Sequence, residues 1–174
     1  MIWPMSGLCL SCGLCCNGVI FSSVPVASHD DVASLEGVGI TLSVAGGERQ
    51  FAQPCAAHDG RECRVYGSRP TACRQYRCDL LQRVEKGGIE PAEALRLIGE
   101  AIRLHRELAH VIREVEPHHD GRQSRASLLK QFSARLEESL EAETRRKVGS
   151  VVVRLLALDE FIRRTFGSSV LEWS

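Results

Sequence analysis

The sequence predicts a mainly α protein in two parts: an irregular, cysteine-rich, metal-binding lobe with short strands and helices over residues 1–88, and a C-terminal three-helix antiparallel bundle over residues 89–174. Three observations predict it. All eight cysteines lie between Cys9 and Cys78, and none follows. After Gly87 and Gly88, apolar residues recur every three or four positions, the period of an amphipathic helix. Before them, large apolar residues are too few to make a core alone. Metal coordination is expected to supply the missing stability there, because binding free energy becomes folding free energy when no site preforms in the unfolded chain.

Taken in order, Val19–Val24 and Glu48–Ala52 are expected as strands. A short helix is expected over Asp30–Leu35, capped by Ser28, and a longer one from Ser68 to Lys86, opened by Arg69-Pro70. Pro91 suits the first turn of the next helix, where a proline sacrifices no needed N–H. That helix runs from 91 to 116, its seam formed by Leu95, Ile98, Ile102, His105, Ala109, Ile112 and Val115. Pro117 to Gly121 form a turn, and Ser124 caps a second helix with Leu128, Leu129, Phe132, Leu136 and Leu140 on one face. Gly149 and Ser150 predict a break before a third helix near 150–166, which carries Val152, Leu155, Leu156, Leu158, Phe161 and Ile162 and stops at Gly167. The charge run from Glu137 to Lys147 is expected on the solvated face of the second helix.

Cys9, Cys12, Cys15 and Cys16 form C-x2-C-x2-C-C, and Cys55, Cys63, Cys73 and Cys78 follow at wider intervals. A two-residue gap folds the chain back so that both sulfurs reach one metal while the intervening amides point at them, a spacing shared by zinc and iron–sulfur sites. All eight are therefore candidate metal ligands. Adjacent Cys15 and Cys16 point in different directions, so one of them is expected to face a second site. On one intact helix Cys73 and Cys78 would lie about 140° apart around the axis and could not easily share an ion. Eight thiolates fit two four-cysteine sites, or one site with cysteines left over. His58, three residues after Cys55, is the one histidine at ligand spacing. Around the later cysteines, Arg61, Arg64, Arg69, Arg74, Arg77, Arg83 and Lys86 face only Glu62, Asp79 and Glu85, a basicity that would balance the negative charge of metal-bound thiolates.

The run Cys9-x2-Cys12-x2-Cys15-Cys16, then Pro54-Cys55, Cys63-Arg64-Val65-Tyr66 and Arg69-Pro70-Thr71-Ala72-Cys73-Arg74-Gln75-Tyr76-Arg77-Cys78, resembles the CxxCxxCC family of zinc- or iron-chelating cysteine-cluster proteins. The resemblance covers roughly residues 9 to 80 and implies a metal site built from these cysteines. The family includes the flagellin lysine N-methylases, considerably longer chains, so the resemblance implies no more than a methylase-like, accessory or catalytic role in protein modification.

Composition narrows the function classes. Lysine plus arginine and aspartate plus glutamate both total 22, so no excess charge draws the chain onto nucleic acid or a membrane surface. No run of about 18 apolar residues predicts a membrane span, and Met1 to Cys9 shows neither the basic nor the apolar region of a signal peptide. A cytoplasmic protein is expected, where cysteines are kept reduced and serve as ligands. There is no G-x-G-x-x-G after a strand and no C-x3-C-x2-C, so neither a Rossmann site nor the radical S-adenosylmethionine spacing is visible, and no catalytic residue is nominated. The leading expectation is an iron–sulfur protein, with a 4Fe-4S cluster used in electron transfer or redox chemistry with a redox partner. The alternative is a zinc-stabilised module whose helices dock a protein partner.

Overall fold

The computed structural model describes residues 6–60 and 62–167. The chain is mainly helical, with one small sheet. Helix α1 (Ser6–Cys12) leads through a tight turn into β1 (Ser23–Pro25), α2 (Val32–Gly37), β2 (Leu42–Ala45) and β3 (Glu48–Ala52). A 3-10 turn at Tyr66–Ser68 precedes α3 (Thr71–Gln75) and α4 (Asp79–Glu85), and the long helices α5 (Pro91–Val115), α6 (Arg125–Leu136) and α7 (Ala142–Phe166) complete it.

The sheet is antiparallel in the order β1-β3-β2, with Phe51 opposite both Val24 and Leu42. Gly46 and Gly47, both at positive φ, make the two-residue hairpin between β2 and β3, a turn that demands residues tolerant of left-handed backbone. Strand β3 has its expected bounds. The expected strand Val19–Val24 pairs only from Ser23, and Val19, Ile20 and Phe21 are buried with the helices instead. Their unbroken apolar run lacks the alternation of a half-buried strand. Helix α2 starts later than expected and is capped by Asp31, not Ser28: the carboxylate accepts the Ser34 N–H at 3.1 Å and the Ser34 hydroxyl at 2.6 Å.

In the second half, Pro91 occupies the first turn of α5, Ser124 caps α6 by accepting the Ser127 N–H, and Gly167 ends α7 in the left-handed conformation. The seam of α5 is turned by about one residue from expectation, with Ala94, Ile98, Ala101, Leu108 and Ile112 buried. The expected break at Gly149 is absent: α7 begins at Ala142 and runs through it. Val148, Val151, Val152 and Leu155 bury one continuous stripe, and that burial outweighs the roughly 1 kcal/mol helix penalty of a single glycine. Consequently the charged run around Glu137–Lys147 spans the turn and the start of α7. There Arg145 donates to the carbonyls of Leu136 and Glu138 at the end of α6, and Lys147 pairs with Glu143. No described helix is long and apolar enough to cross a membrane.

Two cores result. The larger is built on α7, which packs against α5 and α6, and it also takes in Leu8, Leu14, Val19, Ile20, Phe21, Leu80 and Leu81 from the cysteine-bearing half. The smaller holds Val24, Val26, Leu35, Ile40, Phe51, Ala57 and Val65 around the sheet. Between the cysteine loop and α6 runs a polar strut: the Arg125 N–H donates to the Gly18 carbonyl at 2.9 Å, the Arg125 guanidinium donates to the Val19 carbonyl at 2.7 Å, and the same side chain pairs with Asp159 of α7. Gly18 sits at φ +79°, and a Cβ there would fall 3.0 Å from the Ser124 Cα. Gly18→Ala should therefore lower stability by about 1–3 kcal/mol, read as a lower urea midpoint at unchanged slope.

Candidate metal centre

All eight cysteines are free thiols and line one cavity of about 130 Å³. Its remaining wall is largely apolar, from Leu14, Ile20, Phe21, Val24, Ile40 and Phe51 among others. Cys9 is exposed and the other seven are half-buried.

The elements divide the thiols between the two cores. Cys9 and Cys12 sit three apart on α1, a spacing that places both on one helix face. Cys12, Cys15 and Cys78 pack against the helical core, while Cys55, Cys63 and Cys73 pack against the sheet core. Cys16 joins the second group through its backbone, its carbonyl accepting the Cys55 N–H at 2.7 Å. The helix expected from Ser68 to Lys86 is broken, because Tyr76 and Cys78 adopt extended backbone between α3 and α4. With no shared helix axis, Cys73 and Cys78 go to different groups. Cys78 then caps α4, its sulfur accepting the Leu81 N–H at 3.4 Å.

Electrostatics follow the same division except at its seam, where Cys16 is coupled to Cys15 and Cys12. Burial pushes the Cys12 thiol up to about 12, opposed by the Leu14 N–H and reinforced by the charges of Cys78 and Cys9. Cys15 is raised by burial and then by Cys12, Cys16, Cys78 and Cys9. Cys16 is pushed up to about 12 by burial and then by Cys55, Cys63 and Cys73, and Cys73 likewise to about 12 by burial, Cys55 and Cys63. Backbone N–H groups face the sulfurs: Leu14 toward Cys12, inside the C-x2-C pair as that spacing predicts, and, outside any such pair, Ala57 and His58 toward Cys55 and Leu80 and Leu81 toward Cys78. Such donors favour thiolate over thiol.

Several cations expected around the thiols are found there. Arg69 and Arg77 oppose the burial that raises the Cys9 thiol, and Arg64 does so weakly at Cys55. Arg69 is held by stacking over the Tyr66 ring at 3.6 Å and by donating to the Tyr66 carbonyl, and Arg64 is tied to the carbonyls of Val38 and Ala56. Arg74 turns away to Thr71 and Asp30, and Arg61 lies outside the described residues. His58 lines the cavity, its ring against Gly13, where a Cβ would come 3.1 Å from Nε2. Two features of the wall are assigned no role by the sequence. Tyr76 meets Phe21 edge-on at 4.7 Å, and the buried Gln53 Oε1 has no hydrogen-bond partner among the described residues.

Asp30 anchors the helix that bears Cys73. Its carboxylate, 2% exposed, accepts the Thr71 N–H at 2.9 Å, the Thr71 hydroxyl at 2.8 Å and the Ala27 N–H at 2.9 Å. Burial alone would raise its pKa, but the hydrogen bonds from Thr71 and Ala27 prevail and hold it below the ordinary value. Because the folded pKa is depressed, the ionised carboxylate stabilises the fold above the unfolded pKa of about 3.9, and that stability is lost as pH falls through the folded pKa. Asp30→Asn should cost about 1–3 kcal/mol at neutral pH and flatten stability against pH below about 4. Urea titrations across that range check it.

The donor set fits a soft metal held by thiolates. Among the described residues, however, no three histidine, cysteine, aspartate or glutamate side chains are arranged to hold one metal ion between them. Four thiolates on a single zinc would lie within about 3.8 Å of one another, given Zn–S bonds of about 2.3 Å. Thiolates on a 4Fe-4S cluster stand further apart, because each binds a different iron. Residues 8–92 match the model of the CxxCxxCC family, described as "Putative zinc- or iron-chelating domain", and so bear out the resemblance carried by the cysteine motifs. No curated protein and no solved structure matches the chain.

Proposed function

We propose, from the premise that residues 8–92 are a CxxCxxCC domain, that this chain holds iron as an iron–sulfur cluster and serves in electron transfer or thiol redox chemistry. The observation that carries this reading is the cavity: eight thiols around about 130 Å³ of largely apolar space, with no three donors among the described residues drawn together on a single point. A closed four-thiolate zinc site encloses its ion by direct contact and needs no such space.

Bound there, a cluster would supply one-electron chemistry. The chain's own residues set its surroundings. Cys9, Cys12, Cys15, Cys16, Cys55, Cys63, Cys73 and Cys78 are the donors, and the N–H groups of Leu14, Ala57, His58, Leu80 and Leu81 offset charge on the sulfurs. Arg69 and Arg77 add positive charge on the Cys9 side, the exposed side, from which a protein redox partner would approach. The apolar wall of Leu14, Ile20 and Phe21 limits water at the buried thiols. Thiols kept reduced in this number suit a cytoplasmic setting.

The second reading is a zinc-stabilised binding module: the sheet core is small, and a zinc staple would supply its missing stability as well as a cluster would. Elemental analysis of protein purified without oxygen separates the two. Iron with matching acid-labile sulfide, and a brown colour bleached by dithionite, is the expected result. Zinc without sulfide in a colourless protein would overturn it in favour of the structural module.

A further inference from the structure

The eight thiols fall into two groups that differ in what they pack against. Cys12, Cys15 and Cys78 lie on the helical core, and Cys9 shares a face of α1 with Cys12. Cys55, Cys63 and Cys73 lie on the sheet core, and Cys16 is bonded through its carbonyl to the Cys55 N–H at 2.7 Å. Within the second group the chain is tied further by the bridge between His58 and Cys63 and by the His58 N–H donating to the Cys55 carbonyl at 3.0 Å. Neither group looks like a set of spare thiols. Each holds four, and each has cations near it, Arg77 for the first, Arg64 for the second, and Arg69 between Cys9 and Cys73.

Resting on the reading that these thiols hold iron–sulfur clusters, we propose that they form two separate four-thiolate cluster centres, one from Cys9, Cys12, Cys15 and Cys78 and the other from Cys16, Cys55, Cys63 and Cys73. The centres meet at the Cys15–Cys16 peptide, whose Cα atoms are about 3.8 Å apart. Adjacent side chains leave the backbone in different directions, so the pair serves two centres where it could not serve one. The break at Tyr76–Cys78 acts in the same sense by sending Cys73 and Cys78 to opposite groups. In a redox protein this arrangement makes the two centres neighbours close enough to exchange electrons.

The test is metal per chain, by native mass spectrometry and elemental analysis of anaerobically purified protein, for the wild type, Cys78→Ser, Cys63→Ser and the double variant. The expected result is twice the metal of a single four-thiolate centre in the wild type, half of that in each single variant, and almost none in the double variant. The absorption spectra of the two single variants should add up to that of the wild type. One centre's worth of metal in the wild type, or one variant keeping everything while the other loses everything, would overturn the partition but leave metal binding standing. A wild type without iron sinks the reading on which the partition rests. Should a variant lose its helical circular dichroism, the wild-type count decides alone, supported if the reduced protein gives an electron paramagnetic resonance spectrum split by two interacting spins.

Discussion

Stripping the metal from the folded protein is expected to melt the sheet core while much of the helical core survives. The sheet core has seven buried apolar members, Val24, Val26, Leu35, Ile40, Phe51, Ala57 and Val65. Ordering each residue of the surrounding chain opposes folding by about 1–2 kcal/mol, and so few side chains do not offset that over the segment from β1 to α3. Metal binding can, since a structural thiolate site contributes on the order of 10 kcal/mol. The raised thiol pKa values add a sign to this. Burial holds Cys12, Cys16 and Cys73 near 12, so without metal they stay protonated at neutral pH, and binding must expel those protons. Affinity should therefore rise steeply with pH and fall as acid is added. Hydrogen exchange on the stripped protein checks the first point: amides of β1, β2 and β3 should lose nearly all protection, while those around Leu108 in α5 and Leu155 in α7 keep most of theirs. Equal protection with and without metal would show that the sheet core stands unaided.

Replacing Arg125 by methionine is expected to lower stability by about 3–5 kcal/mol, because it leaves the Val19 carbonyl without its donor and Asp159 without its partner. In a chain of this size that is a fall in melting temperature of roughly 6–20 °C. The side chain is 3% exposed and Asp159 is 31% exposed, so Asp159→Asn should cost distinctly less, since the guanidinium keeps its bond to Val19 and only the rehydratable partner changes. Calorimetry on both variants tests the ranking. If the two were equal and small, the strut would be packing alone. If Arg125→Met also lowered the metal content, the strut would be shown to position the Cys12–Cys16 turn that it braces through Gly18 and Val19.

What the sequence could reveal was what local chemistry decides. Pro91, Ser124 and Gly167 mark helix boundaries by missing or capping one backbone group each, and all three stand where that logic puts them. The cysteines were legible as a set because eight thiols lie in so short a stretch, four of them at C-x2-C-x2-C-C spacing, and all eight line one cavity. Tertiary decisions were not legible. Gly149 looked like a break because the stripe it joins becomes visible only once α7 is seen to pack against α5 and α6. The Ser68–Lys86 stretch looked like one helix because nothing in Tyr76-Arg77-Cys78 forbids helix, and the extended backbone there follows from sending two cysteines to two cores. Helix α1 was missed for the opposite reason, being short and read for its cysteines alone. Arg125 carried no signal, since an arginine one residue inside a helix is ordinarily solvated.

Leu8 and Phe166 belong to the same core although almost the whole chain separates them. A ribosome adding about 5–20 residues per second needs roughly 10–30 s to travel from one to the other. Helix α1 waits until α5, the helix against which it packs, has been made, and α4 waits for α7 as well, whereas the members of the sheet core, all between Val24 and Val65, emerge together and early. Assembly is thus ordered in time: the thiols on the sheet side can gather first, those of α1 settle once α5 is made, and that of α4 comes to its final place when the last helix has arrived.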